Sequence, residues 1–217
     1  RFAERFGVQG AIDLRTHARW PVGSDTLSGA LTLRADELQL NTLGWYPYPL
    51  GVKGQWRGEG SFSTDGFAAF TLDGDSVTLS NTERSFRFEE FAVEGHLSPD
   101  STVLVVQTDA LEVDYATNIP LDSLLPRSRE KLLGFFREDS TGGTAAGERM
   151  DLRVALPSTA WLTGIMLPGL KAVDLETFEA HYDADADAFD LDIAMPILHY
   201  GDITVSGLSF SANTKGH

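Results

Sequence analysis

The stretch that decides the fold is GVKGQWRGEGSF, residues 51–62. Its residues alternate between an apolar or small set and a polar set, and this period of two is typical of a β-strand with one apolar face. The apolar or small set comprises Val52, Gly54, Trp56, Gly58, Gly60 and Phe62. Half of it is glycine, which weakens a strand and supplies no side chain to a core. The glycines therefore either let a strongly twisted sheet bend or keep a trough open along the apolar face.

The same alternation recurs along the chain and predicts about a dozen strands. A glycine flanked by apolar residues two positions away on each side appears at 8–12, 27–31, 52–56 and 93–97. Turn-forming residues interrupt the pattern at 64–66, 72–76, 98–101 and 183–187. Short connections of this kind predict antiparallel hairpins and meanders rather than parallel βαβ units.

Two segments interrupt the strands. PLDSLLPRSREKLLGFFRE predicts a helix within 121–137 that begins near Ser128, and the small polar residues after it predict a loop. PSTAWLTGIMLPGL predicts a short helix that begins at Ser158 or Thr159 and ends before Pro168. We expect one mainly β segment over 1–217, with a sub-boundary near 118–147. Its sheet is either an open groove or a closed β-sandwich.

Composition and charge limit the partners. The chain has a formal net charge of -15, and its 17 lysine and arginine residues are scattered. Phosphate contacts need concentrated positive charge, so we expect no nucleic acid partner. The negative charge also disfavours electrostatic adsorption to anionic lipid, so any lipid binding would depend on apolar contact. Because the chain begins at Arg1 and enters a strand pattern almost at once, we expect it to be a piece of a longer protein.

No catalytic signature is present in the sequence. It contains no cysteine and no nucleophile elbow, phosphate-binding loop or zinc-protease motif. The run DADADAFDLD places Asp183, Asp185 and Asp187 like the first ligands of a calcium-binding EF-hand loop, but Ala188 and Ala194 replace the glycine and glutamate that such a loop needs. We therefore interpret the run as an acidic hairpin turn, and we expect a non-catalytic protein without cofactor or metal.

The order of these features resembles the TamB branch of the AsmA-like envelope proteins, and most closely the long versions of Bacteroidetes-type bacteria. The resemblance rests on the glycine-centred strands, on SFRFEEFAVEGHLSPDSTVLVVQTDALEVDY at 85–115, and on LPGLKAVDLETFEAHYDADADAFDLDIAMPILHYGDITVSGLSFSANTKG at 167–216. It covers nearly the whole chain and is a pattern of strand types. The heavy acidic charge and the helix at 121–137 depart from the family pattern.

The resemblance implies a periplasmic segment of a long protein whose full-length chain is anchored in the inner membrane. In this family the sheet folds lengthwise into a β-taco, whose apolar concave side carries phospholipid acyl chains between the inner and outer membranes in support of outer-membrane biogenesis. It also implies an outer-membrane partner of the BamA type, bound through other parts of the full-length chain. The alternative function is a non-catalytic structural or recognition domain of a large cell-envelope protein.

The predicted lipid groove is the apolar face of the strands. About a dozen strands at roughly 4.8 Å spacing give a trough on the order of 50 Å long, and acyl chains need only a continuous apolar wall to stay out of water. Its residues are Ile12, Leu14, Leu31, Leu33, Val52, Gly54, Trp56, Gly58, Gly60, Phe62, Phe70, Leu72, Phe88, Val93, Leu97, Leu152, Val154, Leu191, Ile193, Ile203 and Val205. Taken singly, each of these residues fits the core of a closed sandwich or barrel equally well. Exposed sheet edges would also allow two copies of the chain to dimerise.

Overall fold

The structure is a computed structural model that describes residues 12–44, 46–118, 147–167, 169–186 and 188–214. These residues are mainly β-strand, as predicted, with one short helical turn among them. The strands are β1 (Ile12–Arg19), β2 (Thr26–Gln39), β3 (Gly51–Ser63), β4 (Ala68–Ser80), β5 (Ser85–Arg87), β6 (Phe91–Ser98), β7 (Ser101–Thr108), β8 (Glu112–Thr117), β9 (Arg149–Ala155), β10 (Leu170–Asp174), β11 (Thr177–Asp183), β12 (Ala188–Tyr200) and β13 (Ile203–Thr214).

The strands form one large antiparallel sheet. Its order is β1-β2-β3-β4-β6-β7-β8-β9-β11-β12, while β10 and β13 also pair with β12 and β5 pairs with β4. Within the described residues β1 pairs only with β2, and β13 pairs only with β12, so the sheet is open at both edges. The alternative of a closed β-sandwich is therefore wrong, and the predicted hairpins and meanders are confirmed.

β10 and β11 lie end to end along β12. Asp174 pairs with Ile197, and Thr177 pairs with Ala194, so the gap between the two strands falls beside Pro196. Proline has no backbone N–H to donate to a ladder. The interruption therefore follows from the sequence of β12.

Three of the four predicted turns join consecutive strands, but the turn predicted for 72–76 is wrong. β4 runs through that stretch as a single strand, Ala68–Ser80. Its ladder to β3 shifts register between Lys53 and Gln55, and Ser76 adopts a φ of 57° there. A bulge of this kind uses the same left-handed conformation as a tight turn, so the local composition predicts both equally well.

The short helix predicted after Ser158 is present as a π-helical turn, Leu162–Met166. The carbonyl of Thr159 accepts hydrogen bonds from the N–H groups of Leu162 at 3.1 Å and Thr163 at 2.9 Å. The helix predicted within 121–137 and the loop after it lie outside the described residues. β8 and β9, which flank 118–147, pair directly with each other. In the described ranges, no helix has the length and apolar content needed to cross a membrane.

The main core lies over one end of the central strands. Its fully buried members are Ala35, Trp56, Val77, Phe88 and Ala110. Phe88 continues the pairing of β5 with β4, since its N–H donates to the carbonyl of Val77 at 2.8 Å. Trp161 precedes the helical turn and packs against this cluster from outside the ladders. We call the part of the sheet beneath Trp161 the capped region.

Candidate binding face

The register of the sheet shows which residues share a face, because directly opposed residues of antiparallel strands project to the same side. One such row crosses eleven strands without a charged residue: Ala18, Gly29, Gly60, Phe70, Gly95, Leu104, Tyr115, Leu152, Ala180, Leu191 and Ala212. The adjacent row contains Leu31, Gly58, Leu72, Val93, Val106, Val113 and Val154. We call this side of the sheet the apolar face. Eleven strands about 4.8 Å apart extend it over roughly 50 Å.

The opposite side of the sheet is polar. The row next to the apolar one reads His17, Ala30, Glu59, Thr71, Glu94, Val105, Asp114, Arg153, Glu179, Asp192 and Ser211. Arg153 and Glu179 form an ion pair at 3.4 Å, and Nδ1 of His181 lies 2.5 Å from Oδ1 of Asp151. Exposed pairs of this kind add little stability, so this side is best described as a solvated face.

Most of the predicted groove residues share the apolar face. They are Leu14, Leu31, Leu33, Val52, Gly54, Trp56, Gly58, Gly60, Phe62, Phe70, Leu72, Val93, Leu97, Leu152, Val154, Leu191 and Ile193. The backbone of Ile12 pairs with that of Ala35. Phe88 also lies on this face, because its N–H donates to the carbonyl of Val77 at 2.8 Å and so continues the ladder in which Phe86 pairs with Leu79.

Ile203 and Val205 lie beyond Gly207, at the end of β13 where they pair with Tyr200 and Leu198 of β12. Along β12 the apolar residues change from odd-numbered to even-numbered positions near Pro196. Along β13 the same change occurs near Gly207, where φ is 68°. Their membership of the lipid groove stays a prediction.

Sequence reasoning missed several residues of the apolar face, among them Leu104, Val106, Val113, Tyr115 and Ala180. The run at 103–106 is apolar at every position, so alternation alone does not distinguish its two sides. They could have been identified from cross-strand pairing with β6, because the apolar and polar residues of β6 alternate more clearly.

Exposure differs greatly along the apolar face. In the capped region Trp56 is 8% exposed and Val77 is 3% exposed. On the outer strands Leu14 is 58% exposed and Phe62 is 54% exposed. A second buried group lies at the hairpin ends of β7 to β12 and comprises Thr102, Thr117, Tyr182 and Phe189. We therefore define the uncovered region as the apolar-face residues Leu14, Ala18, Leu27 and Phe62 together with Trp20, which follows β1.

Glycines on the apolar face lie close to large side chains. A Cβ atom at Gly95 would lie only 2.3 Å from ring atoms of Phe70, so the ring occupies the space above the glycine. At Gly58 a Cβ would lie 3.4 Å from Cδ1 of Leu72, and at Gly60 it would lie 3.3 Å from Cβ of Phe70. At Gly95, the missing side chain makes room for an aromatic ring that lies against the sheet.

Side-chain hydrogen bonds hold the covering segments of the capped region together. Asn81 donates through Nδ2 to the carbonyl of Gly164 at 3.1 Å, and Trp161 donates through Nε1 to the carbonyl of Ala110 at 3.3 Å. The hydroxyl of Tyr46, in the loop after β2, donates to the carbonyl of Met166. Burial, and to a smaller extent the nearby Tyr48, raises the pKa of Tyr46 above its usual value.

The acidic turn at 183–187 uses its carboxylates in local structure. Oδ1 of Asp183 accepts hydrogen bonds from the N–H groups of Asp185 at 3.0 Å and Ala186 at 3.2 Å. Oδ2 of Asp183 pairs with Arg149 at 3.1 Å, and Asp185 accepts from the N–H of Gly147 at 2.7 Å. Among the residues that the structure describes, no group of histidine and acidic side chains is arranged to hold a metal ion.

Comparison of the chain with protein-family models, with curated proteins and with solved structures gives no match.

Proposed function

We propose that the chain binds and conducts phospholipid acyl chains along its apolar face, as a segment of a TamB-like envelope protein. The observation that carries this proposal is the apolar row that crosses eleven strands with a predominantly polar row on the other side of the same sheet. A globular core needs an apolar surface only as large as its packing partners. An apolar row of this length, in an open sheet, also fits an extended apolar ligand.

The binding free energy of such a ligand would come from apolar contact alone. Each methylene group removed from water contributes about 0.8 kcal/mol, and an apolar wall provides this without any polar contact to the ligand. The uncovered region supplies exposed Trp20 and Phe62, at which an acyl chain would first reach the sheet. The net charge of -15 would repel anionic headgroups from the polar face, so the headgroups would remain in solvent.

The wider setting of the protein belongs to the same proposal and is supported by the family resemblance. In this setting the sheet is folded lengthwise with the apolar face on the concave side, and the segment lies in the periplasm. The full-length chain is anchored in the inner membrane and contacts a BamA-type protein through its other parts. No catalytic step is proposed.

Photocrosslinking in the native envelope tests the proposal. The chain offers a matched pair of exposed phenylalanines at one hairpin: Phe62 on the apolar face is 54% exposed, and Phe67 is 56% exposed. Phe67 lies on the other side, since its carbonyl pairs with the N–H of Ser63, which alternates with Phe62. A photoreactive phenylalanine analogue at either position replaces a residue of the same shape.

We expect phospholipid to be captured from position 62 and not from position 67. Capture of phospholipid from neither position, in variants that retain the native circular dichroism spectrum, would contradict lipid conduction. That result would favour the alternative, a structural or recognition domain in which the apolar face contacts protein. Equal capture from both positions would also contradict the proposal, because it would indicate nonspecific contact with membrane.

A further inference from the structure

A pocket lies where the turn between β4 and β5 meets the helical turn and the start of β10. Its volume is about 410 Å³. Two of its lining side chains are exposed cations, Arg84 and Lys171, and Glu83 is the only carboxylate among the described residues that line it. The pocket therefore has an excess of cations, although the chain as a whole has a net charge of -15.

Local hydrogen bonds hold Arg84 in this pocket. Oδ1 of Asn81 accepts hydrogen bonds from the N–H groups of Glu83 at 2.9 Å and Arg84 at 2.8 Å. Nδ2 of Asn81 donates to the carbonyl of Gly164 at 3.1 Å, so one side chain both folds the turn and attaches it to the helical turn. A Cβ atom at Gly164 would lie 3.4 Å from Cδ and from Nη1 of Arg84. The arginine side chain therefore lies along the backbone of the helical turn.

The cations of the pocket are available to a ligand. The guanidinium group of Arg84 forms no ion pair with any residue that the structure describes. Lys171 pairs with Asp202 at 3.7 Å, but Asp202 is fully exposed, so this pair is weak and leaves the ammonium group able to bind another anion. Thr82 and Tyr48 also line the pocket, and their hydroxyl groups can donate hydrogen bonds.

We propose that this pocket binds the phosphate group of a phosphate ester between Arg84 and Lys171. Arginine binds phosphate through paired hydrogen bonds from its planar guanidinium group, and lysine adds a point charge. The volume of about 410 Å³ lies within the range of small-molecule sites, so the rest of the ligand has room beside its phosphate group. A lipid headgroup and a soluble phosphate ester both carry this group.

The pocket is separate from the uncovered region of the apolar face. Pro49 lines the pocket just before β3 begins at Gly51. Phe62 lies near the other end of that strand, roughly 35 Å along it at about 3.3 Å per residue. Phosphate binding at the pocket does not require acyl-chain binding at Phe62, so either proposal can fail while the other holds.

Titration of the full chain with inorganic phosphate, followed by amide chemical shifts in NMR spectra, tests the site. We expect saturable shifts at the residues that line the pocket. Arg84→Gln and Lys171→Gln should each weaken phosphate binding about tenfold or more, because each removes a charged hydrogen-bond donor. Arg87→Gln and Lys53→Gln are the matched controls. Each removes the same charge outside the pocket, and neither should change the affinity for phosphate.

Arg84→Lys gives a further comparison. It keeps the charge and loses the paired donors, so it should restore part of the affinity that Arg84→Gln loses. Because Arg84 and Lys171 are exposed, none of these substitutions should change the midpoint of urea unfolding. Equal affinity for phosphate in every variant, or no saturable binding of phosphate to the unmodified chain, would overturn the proposal.

Vesicle flotation distinguishes the two sources of phosphate. We would compare the unmodified chain with Arg84→Gln on vesicles that contain phosphatidylglycerol. Stronger flotation of the unmodified chain would assign the phosphate group to a lipid headgroup. Equal flotation of the two proteins, together with binding of glycerol 3-phosphate in solution that Arg84→Gln weakens, would assign it to a soluble phosphate ester.

Discussion

Trp56 and Phe62 lie on the same face of the same strand, and their surroundings are opposite. Trp56 is buried with Val77 and Phe88 in the capped region, whereas Phe62 is largely exposed in the uncovered region. The alternation of β3 is the same around both residues. The difference arises from segments outside the ladder, which cover one end of the strands and leave the other end accessible.

The residues that stabilise the fold are therefore different from those that would bind an acyl chain. Burial of large apolar side chains is the main source of folding free energy, and it is concentrated where Trp161 covers the cluster of Trp56, Val77 and Phe88. An acyl chain would bind where the apolar face is accessible. Substitutions in the two regions should therefore change different properties of the protein.

The largest expected effect is that of Trp56→Ala. Removing this side chain leaves a cavity beneath the covering segments and should lower the free energy of unfolding by about 3–5 kcal/mol. Phe62→Ala removes a side chain that is mostly in water, and it should lower the free energy of unfolding by about 1 kcal/mol or less. Urea denaturation of the two variants beside the unmodified chain measures both values. Equal losses would contradict the division between the two regions.

A smaller effect is expected at Gly95, where the apolar face is close-packed beside β4. Gly95→Val would force the ring of Phe70 to move, and overpacking of this kind lowers the free energy of unfolding by about 1–3 kcal/mol. The same change in a Phe70→Ala background should be nearly neutral or stabilising, because the ring is absent. A double-mutant cycle in urea gives the coupling energy, and additive effects of the two substitutions would rule out this contact.

The smallest effect is expected at Tyr46, which holds the loop after β2 to the helical turn. Tyr46→Phe removes the hydrogen bond to the carbonyl of Met166 and should lower the free energy of unfolding by about 1 kcal/mol.

The pH dependence of Tyr46 gives a second measurement. Because burial raises the pKa of Tyr46 in the folded protein, its contribution is complete below the unfolded tyrosine pKa of about 10 and is lost as the pH rises through the folded value. The unmodified chain should therefore lose more stability than Tyr46→Phe above about pH 10. Parallel losses in the two proteins would show that Tyr46 is not responsible.

The antiparallel sheet was predictable because its pattern is local. The alternation of β3 and the turn at 64–66 specify a hairpin within one short stretch of sequence, and most of the sheet repeats this arrangement. The turn predicted at 72–76 failed for the same reason. A bulge at Ser76 and a tight turn have the same local composition, and only the pairing partner distinguishes them.

The parts of the candidate site that sequence did not predict depend on distant residues. Alternation does not predict that Trp161 covers the cluster of Trp56 and Phe88, because the pattern around Trp161 also fits a free helix face. The changes of apolar pattern at Pro196 on β12 and at Gly207 on β13 lie opposite each other, and only the pairing of the two strands shows this. These features require knowledge of which strands are neighbours.

The near-sequential order of the strands has a consequence for how the protein folds. Most strands pair with the strand that precedes them along the chain, so the principal contacts join residues that are close in sequence. Local pairing has a small loop-closure entropy and speeds folding. The sheet can therefore grow hairpin by hairpin from its first strands as the polypeptide emerges, without waiting for its last strand, and an inserted or deleted hairpin would change its length while leaving the remaining pairings intact.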